Sequence, residues 1–220
     1  MISFQNVSKS FTTPRWQPVF IFKDLTLNIK TWSFNALMGP SWTWKSTFLN
    51  LIAGLESIDS GSLIIDETDI SIMTTNQVTR RRGKTVGFVF QQFHLIPQLT
   101  VIENIDLVIE LNGLTRRFAT QEILEKVGLA WRANEYPTRL SGWEQQRVAL
   151  ARAFVAELPV LLADEPTGNL DQATASRIME LMASLHQEVN NTIIMITHDQ
   201  AITRYAHHQY ILQDHTINQV

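Results

Sequence analysis

The stretch "MGPSWTWKSTFLNLIAG", Met38 to Gly54, decides how this sequence is interpreted. It follows the apolar run "FNALM" (34–38), which predicts a strand, and it leads into a helical segment. A loop of the form G-x-x-x-x-G-K-S/T between a strand and a helix presents backbone N–H groups and the positive helix end to phosphate groups. The spacing therefore predicts a phosphate-binding loop at 39–47.

Four residues of this loop are in register for binding a nucleotide: Gly39, Lys45, Ser46 and Thr47. Gly39 is the first glycine, Lys45 can reach the outer phosphates, and the Ser46 hydroxyl can ligate magnesium. The predicted phosphate contacts are Gly39, Pro40, Ser41, Trp42, Thr43, Trp44, Lys45, Ser46 and Thr47. Trp42 and Trp44 conflict with this prediction, because a side chain at these positions separates the backbone amides from a phosphate.

The composition excludes several other classes of protein. The chain has no cysteine, which excludes disulfide frameworks and thiolate metal sites and fits a reducing compartment. Its net charge of −3 supplies no field that would recruit nucleic acid or acidic lipid. No apolar run approaches the roughly 18 residues that a bilayer span needs, and the N-terminus shows no signal sequence. We therefore expect a cytoplasmic globular protein that only a partner would hold at a membrane.

Short β-rich runs alternate with helical segments along most of the chain. The predicted strands are 2–7, 25–29, 34–38, 62–66, 85–90, 159–164 and 191–197. The last two are continuous apolar runs, which is the pattern of central strands covered on both faces of a parallel sheet. The sequence therefore predicts an α/β fold with a mainly parallel sheet, and with a smaller antiparallel sheet at its edge formed by the early strands.

The segment 92–140 has helical periodicity instead. Apolar residues recur at helical spacing after Thr100, which forms a capping-box pattern with Glu103. We therefore predict a helical subdomain that is inserted into the α/β core. The predicted bounds are 1–91 and 141–220 for the core and about 92–140 for the subdomain, all within one domain of residues 1–220.

Five further segments carry motifs in a fixed order along the chain. They are "GFVFQQFHLIPQLTVIENI" (87–105), "RLSGWEQQRVALARA" (139–153), "VLLADEP" (160–166), "GNLD" (168–171) and "MITHD" (195–199). In that order they resemble the Q-loop, signature sequence, Walker B strand, D-loop and switch-histidine segment of the ABC-type ATPases. With the phosphate loop, the resemblance covers practically the whole chain. It implies a P-loop NTPase core that binds and hydrolyses ATP.

Acidic and histidine side chains are predicted at the strand ends beside the phosphate loop. Asp164 ends a buried strand, where its carboxylate can hold magnesium through water, and Glu165 can polarise an attacking water. His198 follows the next strand at the edge where open α/β sheets bind ligands, and we predict that it senses the γ-phosphate. The predicted catalytic residues are Glu165, His198 and Lys45.

The resemblance implies further contacts with nucleotide and metal. Ser141 and Glu144 form a capping-box pattern at the start of a helix. In the resembling family the positive end of this helix, here with Gly142 and Trp143, faces the γ-phosphate held by a second subunit. Two chains would then form a head-to-tail homodimer that sandwiches two nucleotides. The other implied nucleotide contacts are Phe11, Gln91 and Asp171, and the implied magnesium ligands are Ser46, Gln91 and Asp164.

The segments 87–105 and 164–171 look most like the branch of the family that powers lipoprotein-release and macrolide-export permeases. The resemblance therefore implies ATP and Mg²⁺ as cofactors and a transmembrane permease as partner. It also implies a peripheral location on the inner face of the cell membrane. Nucleic acid is not expected as a partner, because the basic run 80–84 is short and lacks interleaved aromatic residues.

Tryptophan is abundant in this chain and glycine is scarce. Six tryptophans stand beside nine glycines, whereas an average share of roughly 7% would give about 15 glycines. All six are predicted in loops or turns, at Trp16, Trp32, Trp42, Trp44, Trp131 and Trp143. One interpretation is that they are glycines mis-rendered in translation, from a UGA codon that the source organism reads as glycine. The other is that they are genuine, and that the chain is a catalytically impaired nucleotide-site relic with a regulatory or binding role.

Overall fold

The chain is seen in a computed structural model that describes residues 1–12, 18–39 and 42–220. The side chains of Trp42 and Thr43 are also outside this description. The predicted nucleotide contacts Pro40 and Ser41, and the predicted turn at Trp16, therefore lie outside the described residues.

The described part of the chain alternates strands and helices. The strands are β1 (Ile2–Thr12), β2 (Pro18–Ile29), β3 (Phe34–Met38), β4 (Ser60–Ile65), β5 (Thr68–Asp69), β6 (Val86–Phe90), β7 (Val160–Asp164), β8 (Thr192–Ile196), β9 (His208–Gln213) and β10 (Thr216–Gln219). The α-helices are α1 (Trp42–Ala53), α2 (Thr75–Thr85), α3 (Val101–Asn112), α4 (Thr120–Lys126), α5 (Gly142–Phe154), α6 (Gln172–Val189) and α7 (Gln200–Thr203). Among these helices, none has the length and apolarity that a bilayer crossing requires.

The strands form two sheets. The larger sheet has the order β10-β9-β3-β8-β7-β6, and its neighbours are parallel except for the antiparallel pair of β9 and β10. The smaller sheet is antiparallel throughout, in the order β2-β1-β4-β5. The predicted α/β class, with a mainly parallel sheet and an antiparallel sheet of early strands, is confirmed.

The register of the parallel strands brings three strand ends to one level. Leu37 of β3 pairs with Ile196 of β8, which also pairs with Asp164 at the end of β7. Parallel strands end at the same edge of their sheet, so the loops that follow them meet there. The phosphate loop and the segments after β7 and β8 therefore begin side by side.

Two hydrophobic clusters cover the faces of the larger sheet. Along β7, Leu161 belongs to one cluster and Leu162 to the other, because successive side chains of a strand point to opposite faces. The first cluster contains residues of α3, α4, α5 and α6, and the second contains residues of α1 and of the smaller sheet. Phe4 of β1 stacks on Phe48 of α1 with 5.0 Å between ring centroids. Helix α1 thus joins the two sheets.

Helix α3, the first helix after β6, begins and ends at the expected local signals. The Thr100 N–H and hydroxyl both donate to the Glu103 carboxylate at 2.7 Å, which confirms the capping box of α3. Helix α3 ends at Gly113, whose φ of 59° is the left-handed conformation that glycine favours at a helix C-terminus. Buried Ile105 of α3 and Ile123 of α4 share a cluster with α5, so α5 connects the helical segment to the sheet. The domain bounds stay a prediction.

The two strands of the C-terminal hairpin were not among the predicted strands. Strands β9 and β10 are joined by Asp214 and His215, whose φ angles of 50° and 64° are both left-handed. Two-residue hairpin turns of this kind favour Asp-Gly or Asn-Gly. The histidine at the glycine position hid the pattern.

A buried histidine lies at the amino ends of β3 and β8. The Nδ1 of His186 is 3.2 Å from Asn191 Oδ1, and its ring lies 5.8 Å from that of Phe34 and 5.6 Å from that of His207, between centroids. Burial lowers the pKa of His186 below its ordinary value, the bond to Asn191 opposes this effect, and the neighbouring His207 adds to it. The folded protein therefore favours neutral His186.

We expect the protein to lose stability on mild acidification through His186. The unfolded chain binds this proton near pH 6.5, so the contribution is complete above that pH and is lost as the pH falls through the lower folded pKa. Thermal unfolding between about pH 7.5 and 5.5 should show a falling midpoint, with a smaller fall in His186→Gln. His208→Gln, which changes a less buried histidine, should behave like the unchanged chain. Equal pH dependence of all three proteins would contradict this expectation.

Candidate nucleotide-binding site

A cluster of charged side chains lies at the carboxyl ends of β3, β7 and β8. Lys45 Nζ is 3.6 Å from Glu165 Oε1, and His198 Nδ1 is 3.2 Å from the same oxygen. Lys45 is almost fully buried, whereas His198 is exposed. A cleft of about 240 Å³ opens beside the cluster, lined by residues that include Glu165, Thr167, Leu170, Thr197, His198 and Asp199. The structure thus brings together the three residues that were predicted to be catalytic.

The backbone of Glu165 has an uncommon conformation. Its φ of 45° is left-handed, which costs a non-glycine residue about 1–3 kcal/mol and persists only where the surroundings fix it. The Glu165 N–H donates to the Ile196 carbonyl at 3.0 Å, and the Gly168 N–H donates to the Glu165 carbonyl at 3.0 Å. Strand β8 and the turn after β7 together hold the carboxylate beside Lys45.

Asp164 and Ser46 form a second polar pair at this edge. The Ser46 hydroxyl bonds to the Asp164 carboxylate. Burial raises the pKa of Asp164 and the Glu165 charge raises it further, while Lys45 and Ser46 oppose both effects. Carboxylate and hydroxyl oxygens suit magnesium, which takes few protein ligands and completes its shell with water and phosphate. In the described part of the chain, no group of three or more His, Cys, Asp or Glu could hold a metal ion.

Trp44 is buried beside Gly39, at the start of the phosphate loop. Its side chain is 5% exposed and belongs to the second hydrophobic cluster, and its six-membered ring is so close to Gly39 that a Cβ there would collide with it. The indole N–H is buried and has no hydrogen-bond partner within the described residues. A buried donor without a partner costs about 1–3 kcal/mol. Among the other predicted loop contacts, Ser46 is exposed and Thr47 is buried.

The remaining tryptophans have different surroundings. Trp32 is 71% exposed and has a φ of 58°, a left-handed conformation that favours glycine. Trp131 and Trp143 are exposed, and an arginine lies 3.8 Å from the ring centroid of each. The expectation that all six lie in loops or turns is wrong. Trp42 and Trp44 fall in α1 because this helix begins inside the phosphate-loop motif, and Trp143 falls in the first turn of α5.

Gln91 follows β6 and contacts the turn after β7. Its Nε2 donates to Asn169 Oδ1 at 3.1 Å, and Asn169 Nδ2 donates to the Gln91 carbonyl at 3.0 Å. A Cβ at Gly168 would lie 2.8 Å from Gln91 Nε2, so glycine permits this approach. Asp171 caps α6 by accepting two backbone N–H bonds. Sequence reasoning missed Asn169, whose only signal was its place within 168–171.

Phe11 and the start of α5 take no part in the described ion pairs around Glu165. Phe11 is partly exposed near the end of β1, with a lysine ammonium 4.8 Å from its ring centroid. The Glu144 carboxylate accepts from the Ser141 N–H at 2.8 Å and from its hydroxyl at 2.6 Å, as in a capping box. Gly142 and Trp143 follow in the exposed first turn of α5. Their contacts with nucleotide stay predictions.

Comparison with known proteins decides the family of the chain. A family model described as ABC transporter matches residues 22–168. The chain belongs to this family. An ABC transporter ATP-binding protein of Methanocaldococcus jannaschii, MJ0796, is 39% identical over 97% of this chain and 94% of its own length. The lipoprotein-releasing system ATP-binding protein LolD of Legionella pneumophila is 38% identical over 89% of this chain and 88% of its own.

Solved structures agree with this assignment. A dimeric structure of the ATP-binding cassette MJ0796, in a post-hydrolysis state bound to ADP and Pi, matches with a TM-score of 0.86 and 35% identity. The match covers 100% of this chain and 98% of that one. This chain is therefore an ABC transporter ATP-binding protein with a P-loop NTPase fold.

Asp164→Asn is expected to stabilise this ABC protein. The raised pKa means that the fold disfavours the ionised carboxylate, so removing its charge at neutral pH should raise the thermal midpoint by about 1–4 °C. The matched control is Asp69→Asn, because hydrogen bonds from Ser71 lower the pKa of Asp69 and its replacement should lower the midpoint. Scanning fluorimetry in metal-free buffer measures both shifts. A lower midpoint for Asp164→Asn would show that its ionised form stabilises the fold.

Proposed function

We propose that this chain is the ATP-hydrolysing subunit of an ABC transporter. The observation that carries the proposal is the meeting of Lys45, Glu165 and His198 beside the phosphate loop. A lysine beside a carboxylate can stabilise charge on a transferred phosphoryl group and orient the water that attacks it. The edge they occupy is the one at which open α/β sheets bind ligands.

Each residue of this cluster has a distinct part in the proposed reaction. Glu165 Oε1 accepts a hydrogen bond from water and orients the water for attack. Lys45, which pairs with Glu165 in the described state, turns to the outer phosphates and balances their charge. His198 contacts the terminal phosphate from its exposed position.

We propose that magnesium is held beside this cluster by Ser46, Gln91 and Asp164. When bound, magnesium supplies positive charge to the phosphate oxygens. Ser46 and Asp164 already contact each other, so they form the ready part of the site. The Gln91 side chain bonds to Asn169 in the described state, so it would have to turn away from Asn169 to bind magnesium.

The chain is proposed to act as a head-to-tail homodimer. Ser141, Gly142 and Trp143 lie at the exposed, positively polarised start of α5, which suits an anion. In the proposed dimer, the helix start of a second copy reaches the nucleotide that is bound beside Lys45. The dimeric MJ0796 structure, bound to ADP and Pi, supports this arrangement. Phe11 and Asp171 are assigned to the same nucleotide site.

The proposed partner is a transmembrane permease for export or extraction, of the lipoprotein-release or macrolide-export type. The similarity to LolD and the sequence of 87–105 support this branch. ATP binding would close the dimer and hydrolysis would reopen it, and the helical segment at about 92–140 would pass the motion to the permease. The chain would then lie on the inner face of the cell membrane, and it would not act on nucleic acid.

Replacing three tryptophans together is expected to restore nucleotide binding. Trp42→Gly, Trp44→Gly and Trp143→Gly remove the side chains that separate backbone amides from phosphate. The chain with all six tryptophans should bind ATP weakly and hydrolyse essentially none. The triple variant should bind ATP and hydrolyse it. Calorimetric ATP titration and phosphate release measure the difference.

A single Trp131→Gly change, in an exposed position outside the site, serves as the control and should restore nothing. Failure of the triple variant would favour the interpretation of the chain as a relic. UGG codons at positions 42, 44 and 143 would rule out the interpretation as mis-rendered glycine.

Glu165→Gln is expected to separate binding from hydrolysis in the glycine-restored chain. It keeps the shape of the side chain but removes its basicity, so kcat should fall by roughly 10²–10⁴-fold while ATP affinity changes little. Glu157→Gln, an exposed carboxylate before β7, is the matched control and should leave kcat unchanged. Equal turnover in the two variants would exclude Glu165 as the residue that orients water.

A further inference from the structure

The segment after β6 contains two consecutive residues in the left-handed conformation. Phe93 and His94 have φ angles of 56° and 47°, and neither is a glycine, asparagine or aspartate. Such residues persist only where the surrounding structure fixes them. The pair begins two residues after Gln91, so it forms part of the turn that follows β6.

Arg152 of α5 fixes this pair through the backbone. One guanidinium nitrogen donates to the Phe93 carbonyl at 2.8 Å and another donates to the His94 carbonyl at 2.7 Å. The planar fork of an arginine can hold two acceptors at once, and a lysine ammonium has no such geometry. The contact is therefore specific for arginine.

Arg152 is a partly buried cation. Burial lowers its pKa, and within the described residues no carboxylate is found to offset this effect. A buried charge must be compensated by polar partners. Here the partners are the two carbonyl dipoles and the negatively polarised C-terminal end of α5, in whose last turn Arg152 lies. The charge and the strained pair stabilise each other.

Two further sets of contacts link this segment to neighbouring elements. The Phe93 ring lies against the start of α5, where a Cβ at Gly142 would be 3.7 Å from Phe93 Cζ. On the other side, Gln91 and Asn169 exchange two hydrogen bonds, which tie the segment to the turn that begins at Glu165. The segment therefore connects α5 with the turn that carries the Glu165 carboxylate.

Buried Asn104 of α3 holds the end of the segment but not the strained pair. It accepts from the Ile96 N–H at 2.8 Å and donates to the Ile96 carbonyl at 3.0 Å. Loss of Arg152 should therefore release Phe93 and His94 while Ile96 stays anchored.

We propose that Arg152 is a positioning residue that couples α5 to Gln91. Movement of α5 is carried by the two carbonyl bonds to the Phe93–His94 pair, then to Gln91 and to the turn at Asn169. Arg152 would thus link two proposed parts of the nucleotide site. One is the start of α5, which is proposed to contact the nucleotide of a second subunit, and the other is the turn that carries Glu165. The effect on turnover rests on the proposed function, whereas the structural coupling stands without it.

Hydrogen exchange of the full chain tests the coupling directly. Arg152→Met keeps an unbranched apolar stem but removes the guanidinium and both of its bonds, so exchange of the amides in 92–95 should rise by about tenfold or more. Arg152→Lys should give a smaller rise. The control is Arg117→Met, because Arg117 also donates to a backbone carbonyl, that of Glu188 at 3.0 Å. It should leave 92–95 unchanged. Unchanged exchange in both Arg152 variants, or a uniform rise over the whole protein, would overturn the proposal.

A second substitution distinguishes positioning from a general structural role. Asparagine tolerates the left-handed conformation better than histidine. Adding His94→Asn to Arg152→Met should therefore return part of the lost protection in 92–95. No recovery would show that strain in this pair is not what Arg152 restrains. Should Arg152→Met fail to fold, the same comparison in Arg152→Lys decides.

Kinetics in the glycine-restored chain tests the consequence for turnover. Lys45 and the phosphate loop are untouched, so Arg152→Met should lower kcat several-fold while KM for ATP changes less than about twofold. An unchanged kcat would show that the coupling through Arg152 does not affect ATP hydrolysis. If no variant hydrolyses ATP, the proposed function fails, and the exchange data still decide whether Arg152 positions the segment.

Discussion

The parallel register of β3, β7 and β8 is the constraint on which the candidate site depends. Because Leu37, Ile196 and Asp164 stand at one level, a lysine from the first turns of α1 can reach a carboxylate that follows a different strand. A shift of β7 by one residue would turn Asp164 to the other face of the sheet. The two hydrophobic clusters, which divide the side chains of β7 between them, exclude such a shift. The geometry of the polar edge is thus set by apolar packing below it.

That edge gathers features that weaken the fold. Lys45 is buried, Asp164 is kept from ionising easily, and Glu165 is held in a left-handed conformation. Each of these features costs free energy. Unfavourable features that meet at one ligand edge are expected of a functional site, because catalytic groups need environments that perturb them. The same reasoning separates Glu165 from Glu103, whose capping role stabilises its own helix.

Local signals made much of the fold predictable. The capping box at Thr100 and the apolar runs of β7 and β8 act within a few residues, so their sequence is sufficient evidence. The β9–β10 hairpin was hidden by His215, which adopts a glycine conformation without being glycine. Trp42 and Trp44 were predicted in a loop but lie in α1, because a helix that begins inside its own binding loop has no separate cap signal.

The candidate site was predictable in part for a related reason. The motif residues were visible one at a time, and the contact of Lys45 with Glu165 follows only from the sheet register. Asn169 and Arg152 act through contacts with residues far along the chain. A lone arginine in the last turn of a helix looks like a dipole partner, and only the fold shows which carbonyls it holds.

The tryptophans do not share one physical environment, and this bears on their origin. Trp32 is exposed in a left-handed turn, Trp44 is buried with an unpaired N–H, and Trp143 lies on an exposed helix start. Selection for a large aromatic side chain would favour sites where burial rewards it. Mis-decoding of a glycine codon does not depend on the environment of the residue, so it would produce tryptophans in such different environments.

Trp32 also differs from the other residues that have a left-handed backbone, such as Glu165 and Phe93. Glu165 is fixed by two backbone hydrogen bonds, and Phe93 by a guanidinium on its carbonyl. The ring of Trp32 is largely in solvent. The backbone N–H of Trp32 donates to Thr192 Oγ1 at 3.1 Å. That bond needs only a backbone N–H, which glycine also supplies. Glycine would keep the contact and remove the strain, whereas for Glu165 and Phe93 the side chain itself is placed by the strained backbone. The fold therefore accounts for Glu165 and Phe93 as they are, and it accounts for Trp32 better as glycine.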